Sequence, residues 1–207
     1  MVKTFVNDYF RGLTKTISEI SVDKLESIVD FIYTAYKENN QVFLIGNGGS
    51  ASTASHFCCD LGKGAVIDGQ PRFRVMSLND NIALLTAYSN DYGYEFVFVE
   101  QLRNLLNKGD ILICITASGN SKNVLNAIEY AREVGAITIG FLGFGGGKAK
   151  DLVTECITVS NTNYGQVEDS HMILSHAVSQ YFQERIAQEN ISKTLLYANV
   201  KSYGAFR

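Results

Sequence analysis

The chain has 207 residues, 46% of them hydrophobic and 19% charged, with a formal net charge of −3. That length suits one domain with a full hydrophobic core, and the mild acidity supplies no general attraction to nucleic acid or to a membrane surface. No segment approaches the roughly 18 apolar residues of a membrane span, and the opening MVKTFVNDYFRGLTKT lacks the continuous apolar run of a signal peptide.

Four cysteines occur in apolar contexts: adjacent Cys58 and Cys59, Cys114 in ILICIT and Cys156 in ECITV. Adjacent cysteines are poor disulfide partners, and buried free thiols fit a reducing compartment, so a cytoplasmic location is expected. The sequence contains a single proline, Pro71, and no linker, repeat or low-complexity stretch. One domain over 1–207 is the economical reading.

Residues 1–39 read as two helices, the second placing Leu25, Ile28, Val29, Ile32 and Tyr33 at helical spacing. Five short apolar runs follow, at 41–46, 73–78, 110–116, 137–142 and 156–160, each succeeded by a polar turn and a helical pattern. Runs apolar on both faces predict buried parallel strands in βαβ units, within an α/β core over about 40–188. A long amphipathic helix closes that core at roughly 166–188. The remaining 189–207 are polar with scattered Leu, Tyr and Phe, and read as an extension that adds a helix or packs on a partner subunit.

In an open parallel sheet, ligands bind beyond the carboxyl ends of the strands. Run 41–46 leads into Gly46-Asn47-Gly48-Gly49-Ser50, and run 110–116 leads into Thr116-Ala117-Ser118-Gly119-Asn120-Ser121. Glycines let the backbone approach an anion, helix starts offer free N–H groups, and three hydroxyls make a neutral cup for a phosphate. Each loop alone also reads as a turn with an N-cap; two at neighbouring strand ends favour a ligand.

Nucleotide fingerprints fail here. Ala51 stands where a dinucleotide motif wants its third glycine, and Ala149 follows Gly145-Gly146-Gly147-Lys148 where a Walker loop wants Ser or Thr. That last stretch reads as a turn into a helix beginning near Lys148.

The three histidines all lie near carboxylates. His56 and Asp60 are spaced i,i+4 on one helix face, while Glu168 and His176 are two turns apart on the closing helix. Asp169 and His171 point elsewhere if that helix is regular. Such pairs can bind zinc or serve as general acid and base; the bland alternative is an ordinary hydrogen-bonded pair.

On GNGGSASTASHFCCDL (46–61), SNDYGYEFVF (89–98), TASGNSKNVLNAI (116–128) and QVEDSHMILSH (166–176), the sequence resembles the SIS (sugar isomerase) domain family, and within it the phosphoheptose isomerases. The resemblance covers roughly 1–187. It implies a three-layer α/β/α sandwich with a five-stranded parallel sheet, doubly wound in the flavodoxin manner. It also implies a homotetramer with active sites at subunit interfaces.

The implied activity is aldose–ketose isomerisation of sedoheptulose 7-phosphate to D-glycero-D-manno-heptose 7-phosphate, feeding surface-polysaccharide precursors. Thr116, Ser118 and Ser121 would hold the phosphate, with Asn47, Gly48, Gly49, Ser50, Asn90, Asp91 and Glu168 around the substrate. One Zn2+ per subunit would sit on His56, Asp60, Glu168 and His176, with Asp60 as base and His176 as acid.

Three departures stand out: Asp60 where the family has Glu, Glu168 where it has Gln, and Thr-Ala-Ser at 116–118 in place of Ser-Thr-Ser. Two non-catalytic readings compete: a SIS protein that binds the replication initiator, and a sensor that binds a sugar phosphate without turnover.

Overall fold

The computed structural model describes residues 1–204, with side chains through Ile191. Two helices, α1 (Val2–Ser18) and α2 (Val22–Glu38), precede the first strand. Ser21 starts α2 by accepting from the Lys24 N–H at 3.3 Å, and Asn39 ends it in the left-handed conformation.

Strands and helices then alternate: β1 (Gln41–Gly46), α3 (Gly49–Cys59), β2 (Arg74–Ser77), α4 (Ile82–Tyr92), α5 (Val97–Leu105), β3 (Ile111–Thr116), α6 (Lys122–Val134), β4 (Ile137–Gly143), α7 (Ala149–Leu152), β5 (Glu155–Val159) and α8 (Tyr164–Gly204). All five apolar runs form strands, within two residues of the predicted ends. The sheet is parallel throughout, in the order β2-β1-β3-β4-β5.

Alternation along the central strands feeds two cores. Val42, Leu44, Ile111, Ile113, Ile115, Ile139 and Phe141 pack with α2, α3 and α8. Phe43, Ile45, Leu112, Cys114 and Leu142 pack with α5, α6 and α7. Burial on both faces is why these strands read as unbroken apolar runs. Of the thiols, Cys114 and Cys156 are buried and Cys58 half-buried, whereas Cys59 is exposed, against the expectation for an apolar run.

The closing helix overruns its expected end at 188 and continues to Gly204. Its far part is pinned to α2 by the Arg185 guanidinium, 3.5 Å from the Tyr33 ring centroid, and by Glu189, which accepts from the Tyr33 hydroxyl and from Lys37. Of the expected extension at 189–207, the side chains from 192 on and all of 205–207 lie outside the described residues.

His171 faces the core from α8, fully buried with its ring 6.3 Å from that of Phe141. Neither ring nitrogen makes a hydrogen bond of normal geometry. Burial pushes its pKa down to about 4 from 6.5, opposed weakly by the Leu142 backbone. The folded chain therefore keeps His171 neutral over a range where the unfolded chain protonates it. Its contribution is constant above about pH 6.5 and turns unfavourable as pH falls from 6.5 toward 4, by about 3 kcal/mol at most. Chemical denaturation of His171→Leu should show a stability–pH slope shallower by about one proton across that window. Equal slopes in the two proteins would clear His171 of that role.

Candidate active site

β1 and β3 lie side by side at the centre of the sheet, yet the helix after β1 packs on one face and the helix after β3 on the other. This is the switch point of a doubly wound sheet, where the loops diverge and open a crevice. Both loops singled out in the sequence sit there.

In the loop after β3, Thr116 Oγ1 accepts the Gly119 N–H and Ser118 Oγ accepts the Asn120 N–H, each at 3.2 Å. These bonds use oxygen lone pairs and leave both hydroxyl protons free to donate. Ser121 is the N-cap residue of α6 and its hydroxyl makes no capping bond. Three O–H donors thus gather at the start of a thirteen-residue helix, whose dipole favours an anion.

The loop after β1 is held by amides. Asn47 and Asn123 exchange side-chain hydrogen bonds at 2.9 Å in both directions, and the Tyr94 hydroxyl donates to Asn47 Oδ1 at 2.8 Å. Asn79 grips Gly46 by both backbone groups, at 3.1 and 2.8 Å, extending the β1–β2 ladder with a side chain. Ser50 is buried in the first turn of α3, and Gly48 and Gly49 are open to solvent.

At the other end of α3, His56 Nε2 lies 2.8 Å from His176 Nε2 on α8. Asp60 Oδ2 lies 3.3 Å from the first and 3.7 Å from the second. Asp60 opens a π turn, Asp60–Gly64, whose bond from the Ala65 N–H to the Asp60 carbonyl measures 3.0 Å. Both imidazoles keep 45% of their side-chain surface, so the group faces a crevice. A cavity of about 200 Å³ adjoins it, lined by Asp60, Lys63, His176, Ser179 and Gln183.

Two ring nitrogens and a buried carboxylate oxygen without a hydrogen bond converge on one point. Tetrahedral ligands about 2.1 Å from a zinc ion stand ~3.4 Å apart, and the three observed separations straddle that value. The donors therefore suit a divalent cation.

Glu168, expected as a fourth ligand, is not among them. Its carboxylate lies against Gly49 at the start of α3, while His176 meets His56 toward the end of that helix. Both residues face α3, but eight positions separate them, about 12 Å along the axis. Asn90 and Asp91 also stand apart: both are exposed at the end of α4 and bonded to each other at 2.9 Å. That segment reaches the site through Tyr94.

Sequence reasoning missed Asn79, Asn123 and Tyr94, since each acts by holding another residue. Only the placement of Asn79 directly after a strand and of Asn123 in the first turn of α6 offered a hint.

Comparison with known proteins bears on this geometry. The SIS domain family model matches residues 7–143. A phosphoheptose isomerase of Campylobacter concisus is 33% identical over 186 residues, 89% of this chain and 98% of its own length. One from Aquifex aeolicus is 33% identical over 172 residues, 83% of this chain and 90% of its own. The solved phosphoheptose isomerase of Neisseria gonorrhoeae superposes with a TM-score of 0.82 at 26% identity, covering 89% of this chain and all of that one.

If the His–Asp–His group takes a cation, zinc at about a hundred times its dissociation constant should stabilise the protein by about 2.7 kcal/mol and raise Tm accordingly. Asp60→Asn and His56→Ala should each abolish that rise, and a full zinc response in both variants would exclude this cluster as the site.

Proposed function

This chain belongs to the SIS domain family, and we propose that within it the protein works as a phosphoheptose isomerase. The reaction interconverts the ketose sedoheptulose 7-phosphate and the aldose D-glycero-D-manno-heptose 7-phosphate. The convergence of His56, Asp60 and His176, with His56 on the helix that follows one of two glycine- and hydroxyl-rich strand-tip loops, carries this reading.

The phosphate would take the O–H donors of Thr116, Ser118 and Ser121 and the N-terminal dipole of α6. Asn47, with Gly48, Gly49 and Ser50, would flank the sugar, its amide fixed by Asn123 and Tyr94. Such anchoring at the phosphate end orients the reacting carbons at the other.

The Asp60 carboxylate takes the C1 proton alpha to the C2 carbonyl, with Glu168 the second candidate for this task. His176 would give a proton to the carbonyl oxygen or the neighbouring carbon. Reprotonation at C2 and loss of the C1 hydroxyl proton complete the aldose. His56, Asp60 and His176 would hold Zn2+, one per subunit, with Glu168 joining only if its side chain moves. A divalent ion held there supplies Lewis-acid polarisation of the substrate carbonyl.

A homotetramer with sites at subunit contacts is part of this proposal. α4 buries none of its residues despite the run Ile82-Ala83-Leu84-Leu85, and Tyr92, Tyr94 and Phe96 beyond are exposed, as are Phe5 and Phe10 of α1. Apolar surface of this kind marks an interaction face. No helix among the described residues is long and apolar enough to cross a membrane. We place the protein in the cytoplasm as one SIS domain, with small-molecule rather than nucleic-acid partners.

Purified protein should bind zinc and convert sedoheptulose 7-phosphate. Asp60→Asn and His176→Ala should each lower kcat by about 10²–10⁴-fold without loss of folded signal. Rates equal to the parent in both variants would eliminate the mechanism. An initiator-binding adaptor would show neither metal nor turnover, and a sensor would bind the sugar phosphate without converting it.

A further inference from the structure

The glycine run 145–147 is foreign to any nucleotide motif and takes no direct part in the chemistry above, yet it lies against the loop that would hold the phosphate. Backbone meets backbone there. The Ala149 N–H donates to the Gly119 carbonyl at 3.0 Å, and the Lys148 N–H donates to Asn120 Oδ1 at 3.1 Å. Asn120 in turn donates from Nδ2 to the Ser118 carbonyl at 2.9 Å, so one side chain ties both loops together.

No side chain fits at the crossing. Gly119 has φ +63° and Gly147 φ +54°; a Cβ on Gly119 would strike the Gly146 carbonyl, and a Cβ on Gly147 would strike the Ser118 carbonyl and Asn120 Nδ2. Gly145 differs: at φ +90° its added Cβ would meet nothing within 4 Å.

We propose that segment 146–149 is a buttress that sets the shape of the phosphate loop, with Gly147 and Asn120 as positioning residues for substrate binding. They act through Ser118, whose hydroxyl direction follows its backbone, and touch neither the metal cluster nor the reacting carbons. The inference rests on the isomerase reading and on Thr116–Ser121 as the phosphate cup.

The test compares four single variants of the full chain: Gly147→Ala, Asn120→Ala, Gly145→Ala and Ser121→Ala. Each is assayed for KM and kcat on sedoheptulose 7-phosphate, for inhibition by inorganic phosphate, and for Tm. Gly147→Ala and Asn120→Ala should raise KM and the phosphate inhibition constant by about tenfold, with kcat within about threefold of the parent. Gly145→Ala carries a left-handed backbone penalty without the collision, so it should lower Tm slightly and leave KM unchanged.

Asn120 is exposed, so its variant answers even where Gly147→Ala fails to fold. If Ser121→Ala weakens phosphate inhibition while Gly147→Ala and Asn120→Ala match Gly145→Ala, the buttress is overturned and the phosphate cup stands. If Ser121→Ala is also without effect, the cup itself falls and takes the buttress with it.

Discussion

The chemistry of this chain hangs on α3 lying against α8. The contact is apolar: Phe57 and Ala54 of α3 share one buried cluster with Leu174, Val178 and Phe182 of α8, and Phe57 stacks on Phe141 of the sheet beneath at 6.0 Å. Because these residues are wholly or nearly wholly out of water, the lateral register of the two helices is set by close packing and not by the histidines. With that register fixed, Gly49 faces Glu168 and His56 faces His176. Two imidazoles from positions 120 residues apart meet without any bond of their own having to draw them together.

A second constraint comes from topology. The five parallel strands place β1 beside β3, and their following helices leave on opposite faces. The loop that opens α6 and the helix that carries His56 therefore leave neighbouring strands on opposite faces, an arrangement that would suit a substrate charged at one end and reactive at the other. The cup itself is neutral. Any selectivity for a dianion there would come from O–H groups and a helix dipole, which screening by salt weakens less in a half-buried loop than on an open surface.

The sheet was legible because its three central strands, β1, β3 and β4, are buried on both faces, so their apolar runs stand out and glycine or polar residues mark their ends. His56 and Asp60 were legible from i,i+4 spacing alone, since a helix converts that spacing directly into proximity. Glu168 and His176 share a helix face as their spacing required, but a shared face does not put two residues in one site when they lie at opposite ends of the contact. The end of α8 was illegible for a different reason. Past 188 the described side chains are held by a polar clamp, Glu189 on Tyr33 and Lys37, which leaves no periodic trace. Asn79, Asn123 and Tyr94 leave none either, because their partners are distant in sequence.

Asp60, where the resemblance implies a Glu, fits the local backbone. Asp60 is the residue at which α3 widens into a π turn, a feature that recurs at functional sites because it re-aims a side chain by part of a turn. The shorter carboxylate loses about one methylene of reach, and misplacement on the order of 1 Å can cost ~10²-fold in rate. Here it nonetheless sits within 3.7 Å of both imidazoles. With Glu168 held at Gly49, the cluster offers one carboxylate and two imidazoles, so a divalent ion there would be neutralised less than by two carboxylates. That residual charge is what a site needs in order to polarise a carbonyl, and a second carboxylate would diminish it.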